Sequence, residues 1–193
     1  PPPDDMDIDT LLAAAAALTL VGGVQYAAGE GAQTKPAAQG QEKKAVATIE
    51  SKSDSHVTGK AVFHEVGGQV MLKIKIEGAE PGTHAAHLHE TGDCTAADGV
   101  SAGGHWNPTH ENHGKWVASP FHRGDIGNIE VGADGKGTFT LTTDLWTIGG
   151  APETDVIGKG IIIHAKADDF ATQPTGNAGG RVGCGVVHLA DKK

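Results

Sequence analysis

The chain has 193 residues, enough for one domain with a sizeable core plus an appendage. It carries 29 glycines and only 4% aromatic residues, which points to a turn-rich β protein rather than a helical bundle. A formal net charge of −9 argues against a nucleic-acid partner, and no stretch approaches the roughly 20 apolar residues that span a bilayer.

Residues 1–42 read as an extension. Leu11 to Val24 is an alanine-rich apolar run about as long as the hydrophobic part of an export signal. Asp4, Asp5, Asp7 and Asp9 stand where such a signal would carry positive charge, so a plain surface helix is the competing reading. Gly29 to Gln41, rich in Gly, Ala and Gln, has the composition of a flexible linker.

From Ala45 onward the period switches to two, and residues 43–193 read as one domain. Val46, Thr48 and Glu50 alternate with Ala47 and Ile49. Val70 to Ile76 puts Leu72, Ile74 and Ile76 on one face and lysines on the other. Phe139 and Leu141 alternate with threonines. His56 to His64, Ala85 to Glu90, Ile126 to Val131, Gly160 to Ala165 and Val182 to Leu189 are further strand candidates. About eight short strands result, broken by two long strand-poor segments, Thr91 to Asp125 and Asp168 to Arg181. Long loops in a small domain are commonly functional. The expected fold is an all-β Greek-key sandwich or flattened barrel of antiparallel strands carrying two such loops.

Eleven histidines, most of them mid-chain, require a reason. His87 and His89 lie two apart, so a strand points both imidazoles to one face, where they can share a metal. His84, three before His87, faces the other way and reads as a hydrogen-bonded structural histidine. The next segment holds His105, His113, His122 and Asp125, with Pro108 and several glycines to turn the backbone. Three imidazoles and a carboxylate suit a closed tetrahedral zinc site; the bland alternative is a solvated histidine-rich loop. His164 closes the apolar run Ile161 to Ile163, where a buried hydrogen-bonded histidine is the ordinary occupant. Asp168 and Asp169 follow, placed to accept a ligand's other N–H. His56, His64, His110 and His188 read as surface or packing residues. Cys94 and Cys184 are too few for a four-cysteine zinc site or an iron–sulfur cluster. They are inert core thiols in a cytosolic protein or one disulfide in an exported one.

Together these segments resemble the copper–zinc superoxide dismutase family. The resemblance runs through Gly82-Thr83-His84-Ala85-Ala86-His87-Leu88-His89-Glu90, Gly92-Asp93-Cys94 and Gly104-His105-Trp106-Asn107-Pro108. It continues through Asn112-His113-Gly114, His122-Arg123-Gly124-Asp125-Ile126-Gly127-Asn128, Ile163 to Asp169, and Gly176 to Val187. The order and spacing agree from about residue 45 to the end. The resemblance implies copper on His87, His89, His105 and His164, and zinc on His105, His113, His122 and Asp125, with His105 shared. Four nitrogen donors suit Cu(II), and the His/Asp set suits zinc. The resemblance further implies that Asp168 joins the two sites through His87 and His113. Arg181 would attract superoxide, Thr175 would narrow the entrance, and Cys94 and Cys184 would form a disulfide. The implied reaction turns superoxide into dioxygen and hydrogen peroxide by alternate reduction and oxidation of copper, with His105 supplying a proton.

Three departures from the family pattern stand out. Ala85-Ala86 replaces a glycine–aromatic pair, and eleven positions separate Cys94 from His105, closer to bacterial forms. Asp169 to Pro174 is short and lacks a charged cluster, so steering would depend on Arg181 and Lys166. The runner-up is a non-enzymatic copper-binding or copper-delivery domain of the same fold. Periplasmic or extracellular residence is expected, with the cytoplasm as alternative. A homodimer is compatible with the family, whose dimer surfaces vary. No nucleic acid and no stable membrane insertion are expected.

Overall fold

The computed structural model describes residues 42–190, so the reading of residues 1–41 as signal remnant and linker lies outside the described residues. Nine strands follow in chain order: β1 Lys43–Ser51, β2 Thr58–Val66, β3 Gln69–Glu77, β4 Gly82–His89, β5 Gly127–Val131, β6 Gly137–Thr143, β7 Gly160–His164, β8 Arg181–Val186 and β9 His188–Leu189. Their spatial order is β2-β3-β6-β5-β4-β7-β8-β1-β9, every pairing is antiparallel, and β1 also pairs with β2. That last pairing closes β1 to β8 into a barrel, with β9 a short addition beside β1. The neighbours β3–β6 and β4–β7 are not consecutive, which is the Greek-key feature.

Alternation fills the barrel as the period-two pattern requires. Ala45, Ala47 and Ile49 of β1, Val70, Leu72, Ile74 and Ile76 of β3, and Ala86 and Leu88 of β4 enter the core. Met71, Lys73 and Lys75 take the other face of β3. Phe139 and Leu141 are only half-buried, packed against the core, while Thr138, Thr140 and Thr142 face solvent. β7 is buried along its whole length: Ile161 and Ile163 belong to the barrel, and Ile162 packs outside it with Ala102 and Cys184. Loop residues thus cover the outer face of β7.

The second strand runs Thr58–Val66 rather than His56 to His64, because Ser53 and Asp54 adopt positive φ and Ser55 Oγ accepts Val57 N–H, holding that stretch in a turn. The last expected strand is split at Val187, whose N–H donates to Lys159 O instead of a strand neighbour. A third long connection, residues 144–159, joins the two expected ones. Its apolar residues have no strand period because they pack as a plug: Trp146, Ile148 and Val156 are buried, and Trp146 Nε1–H donates to Arg123 O at 2.9 Å. Trp146 meets Phe63 and Trp116, and Glu65 Oε2 accepts Ile148 N–H, so the plug sits where β1 begins and β2 ends.

Residues 90–126 and 165–180 form the two expected loops. Cys94 and Cys184 are joined in a disulfide, fastening the first of them to β8 across 90 residues of chain. Among the described residues no helix is long and apolar enough to cross a membrane. Removing the disulfide by Cys184→Ser should lower the unfolding free energy by about 4–5 kcal/mol, the chain-entropy value for a loop of this length. Chemical denaturation with and without reductant measures it, and a midpoint insensitive to both changes would contradict the structural role.

Candidate metal centre

The site is assembled from three strands and two loops. His87 and His89 project from the outer face of β4, opposite the core residues Ala86 and Leu88. His84, on the inner parity of β4, sits between the carbonyls of His164 and Glu80, 2.8 Å from each, as a structural histidine. His164 ends β7, where the β7–β8 register shifts between Ile163 and His164. The parity of His164 is that of Ile162 on the outer face, which puts it beside His87, with the two ring centroids 4.9 Å apart. His105 forms an isolated bridge with His89, and Trp106 N–H and Leu88 N–H anchor the loop on Leu88 O and Gly124 O. Gly124 is required there: a Cβ would collide with Leu88 O.

Two groups of side chains have the donor types and proximity that a metal ion needs. One is His87, His89, His105 and His164; the other is His105, His113, His122 and Asp125; all are buried, and each set of ligand atoms lies within 4.8 Å. His105 belongs to both. In the second group Asp125 Oδ1 lies 2.8 Å from His105 Nδ1, 3.0 Å from His113 Nδ1 and 3.2 Å from His122 Nδ1. The His105 and His122 Nδ1 atoms are 3.4 Å apart. Bonds of 2.0–2.1 Å to a tetrahedral zinc would separate ligands by about 3.3 Å. The cage has that size.

The donor set can be tested for fit through what each ring nitrogen touches. His87 Nε2–H donates to Asp168 Oδ2 and His113 Nε2–H to Asp168 Oδ1, both at 2.9 Å. His89 Nδ1–H donates to Gly103 O at 2.9 Å, His164 Nδ1–H to Gly179 O at 3.3 Å, and His122 Nε2–H to Glu111 O at 3.1 Å. Each such bond commits that nitrogen to a proton, so in the neutral ring the other nitrogen is a lone pair. Those other nitrogens, His87 Nδ1, His89 Nε2, His164 Nε2 and His105 Nε2, are buried with no hydrogen-bond partner. His113 Nδ1 is likewise unpartnered, lying near Asp125 but off the line of a hydrogen bond. A buried nitrogen without a partner costs free energy unless something coordinates it. Four such nitrogens in one group fit copper, and the His/Asp cage fits zinc.

Electrostatics separate the two halves. Burial pushes His89 down to about 2 and His105 down to about 4, and it holds His164 well below its ordinary value. Burial also opposes a charge on His113, but the neighbouring Asp125 and Asp168 carboxylates outweigh it and raise the ring to about 9. Asp125 and Asp168 resist burial's upward push, because hydrogen bonds from the histidines hold both well below the usual carboxylate range. Arg181 Nη1 and Nη2 donate to Gly99 O and Gly103 O, each at 2.7 Å. Gly103 O therefore receives both Arg181 and His89. Burial lowers the Arg181 guanidinium, and its charge in turn disfavours protonation of His89 and His164. Thr175 is half-buried in residues 165–180, and Lys166 is exposed with its stem along Gly179. His56, His110 and His188 are exposed, whereas His64 is buried, with Nε2 2.6 Å from Glu42 Oε1.

Two amide side chains that sequence reading assigned no role complete the support. Asn128 Oδ1 accepts Asp168 N–H at 2.8 Å while its Nδ2–H donates to Asp168 O at 3.0 Å. Gln173 makes the same paired contact with His113. No motif spacing reveals either, because both read backbone rather than side chains. Gly176 packs so closely on the Asp168–His113 bond that a Cβ would strike Asp168 and come within 2.6 Å of His113 Nε2. Its φ of +69° also favours glycine.

A family model described as copper/zinc superoxide dismutase matches residues 57–187. Among solved structures, the crystal structure of the clock protein EA4 is 34% identical, with a TM-score of 0.68, covering 77% of this chain and 95% of that one.

Metal-free protein should be most stable near pH 6.5. Below that value the unfolded chain takes up protons that buried His89, His105 and His164 refuse, so stability falls as pH drops. His113 contributes stability in full below about pH 6.5 and loses it as pH rises through about 9. Asp125 and Asp168 contribute only above the ordinary carboxylate range, and their share disappears in acid. Denaturation midpoints of chelator-treated protein from pH 4 to pH 10 measure the profile; a monotonic rise to pH 10 would contradict it.

Proposed function

Because this chain belongs to the copper/zinc superoxide dismutase family, we propose that it disproportionates superoxide into dioxygen and hydrogen peroxide. Copper would be held by His87, His89, His105 and His164, and zinc by His105, His113, His122 and Asp125. The observation that carries the reading is the ring of His105, with Nδ1 in the carboxylate cage and Nε2 unpartnered among three lone-pair imidazoles. Copper, when bound, supplies the one-electron chemistry by which two superoxide anions and two protons become one dioxygen and one hydrogen peroxide.

The protein's own residues do the rest. Arg181, its fork fixed by two carbonyls, draws in and orients the anion through its positive charge. His105 Nε2, buried and without a hydrogen-bond partner, is the atom that would take up a proton and pass it to reduced oxygen. Asp168 keeps His87 and His113 in fixed orientation, and Asn128 keeps Asp168 in place. Thr175, on the same loop as Asp168, would narrow the approach to Arg181. The disulfide favours residence in an oxidising compartment, the periplasm or the extracellular space. A second reading, a metal-binding domain without turnover, is favoured by the similarity to a solved protein that is called a clock protein rather than a dismutase.

Protein loaded with copper and zinc should consume superoxide. His164→Ala should lose copper and activity while keeping zinc. Arg181→Ala should keep both metals and lose about ten- to hundredfold in rate, the worth of one charged contact. Metal analysis beside a superoxide assay decides: an active, copper-free His164→Ala would sink the assignment, and a doubly loaded but inactive parent would favour the second reading.

A further inference from the structure

Gln173 lies on residues 165–180, sixty positions beyond His113, yet its side chain grips that residue's backbone. Gln173 Oε1 accepts His113 N–H at 2.9 Å, and Gln173 Nε2–H donates to His113 O, also at 2.9 Å. Among the described residues no strand or turn supplies those two bonds. A primary amide presents one acceptor and two donors in a plane, so it can imitate a strand partner for a single residue. The same Nε2 also donates to Ala171 O at 3.3 Å, which ties the clasp to its own loop. Nearby, Lys115 Nζ lies 5.8 Å from the centroid of the Phe170 ring, a second contact between the same two loops.

We propose that Gln173 is a positioning residue: by clasping the His113 backbone it holds that imidazole in the zinc cage and makes the order of residues 165–180 depend on it. The inference rests on the metal reading above and extends it to a residue outside both ligand groups. His113 is then fixed from two sides. Asp168 holds the ring through Nε2, and Gln173 holds the main chain, leaving Nδ1 aimed at Asp125 and its neighbours. Without the clasp the ring keeps Asp168 but loses the backbone reference that sets where Nδ1 points. Partners that orient a ligand contribute about 10–100-fold to metal affinity. This one is exposed to competing water, so the low end applies.

The test uses the full chain and three variants. Gln173→Met keeps length and removes both bonds; Gln173→Glu keeps the acceptor for His113 N–H and removes the donor. Thr172→Ala removes only the contact from Thr172 Oγ1 to Asp169 Oδ2 in the same loop. Amide hydrogen exchange, read at His113 on metal-free protein, should quicken in Gln173→Met and stay slow in Gln173→Glu and Thr172→Ala. Zinc competition against a chromophoric chelator should show about tenfold weaker binding for Gln173→Met and no change for Thr172→Ala. Unaltered exchange or zinc affinity in Gln173→Met overturns the proposal, as does an equal loss in Thr172→Ala, which would mean general loosening of the loop. A parent that binds no zinc overturns the metal reading and the clasp's role with it. Exchange data from metal-free protein tell the two failures apart.

Discussion

One imidazole is common to both ligand groups, and that sharing constrains everything around it. The two nitrogens of His105 point in opposite directions within one rigid ring, so the two cages have a fixed separation and cannot be tuned independently. His105 is buried, bridged to His89 through the backbone, and within 2.8 Å of Asp125. Any shift of the loop that carries it moves both cages together. The barrel supplies the rigidity: β4 and β7 lie side by side, with His87 opposite Ile162 in the register. Hence His87, His89 and His164 hang from two paired, buried strands, while the remaining donors arrive on loops.

Loops are poor places for exact geometry unless their backbones are tied down. Here the ties are mostly carbonyls and amides. Gly103 O takes both Arg181 and His89, Gly179 O takes His164, and Glu111 O takes His122. Asp168 takes two rings with its two oxygens and is itself held by Asn128. Because a carbonyl only accepts, each of these contacts commits one ring nitrogen to carrying the proton. Its partner nitrogen is left as a donor electron pair in a dry pocket. The electrostatic consequence follows from burial: charge on the four-histidine side is disfavoured, whereas the two carboxylates concentrate it around His113. Arg181 adds a fixed positive charge at the edge of the neutral side, where an anion would be welcome.

Much of this was legible in the linear chain. Period-two alternation marked the strands, since lysines opposite Leu72, Ile74 and Ile76 admit only one buried face. The spacing of His87 and His89 put two imidazoles on one side of β4, and His84 on the other, as the structure has them. The aperiodic plug at residues 144–159 was not legible, because Trp146, Ile148 and Val156 pack inward without a repeating pattern. Asn128 and Gln173 were passed over for a different reason: a lone amide carries no signal until the backbone it grips has a position.

Most strand positions, the donor types and their order along the chain follow from pleat geometry and side-chain chemistry, which are local properties. Which nitrogen of each ring is tethered and which is left open follows from the folded arrangement instead. That choice depends on carbonyls such as Gly103 O and Gly179 O, brought to the rings by loop paths that residue spacing does not encode. Tertiary structure also united Cys94 with Cys184, two thiols whose pairing needs their backbones within bridging distance, here 5.8 Å between Cα atoms.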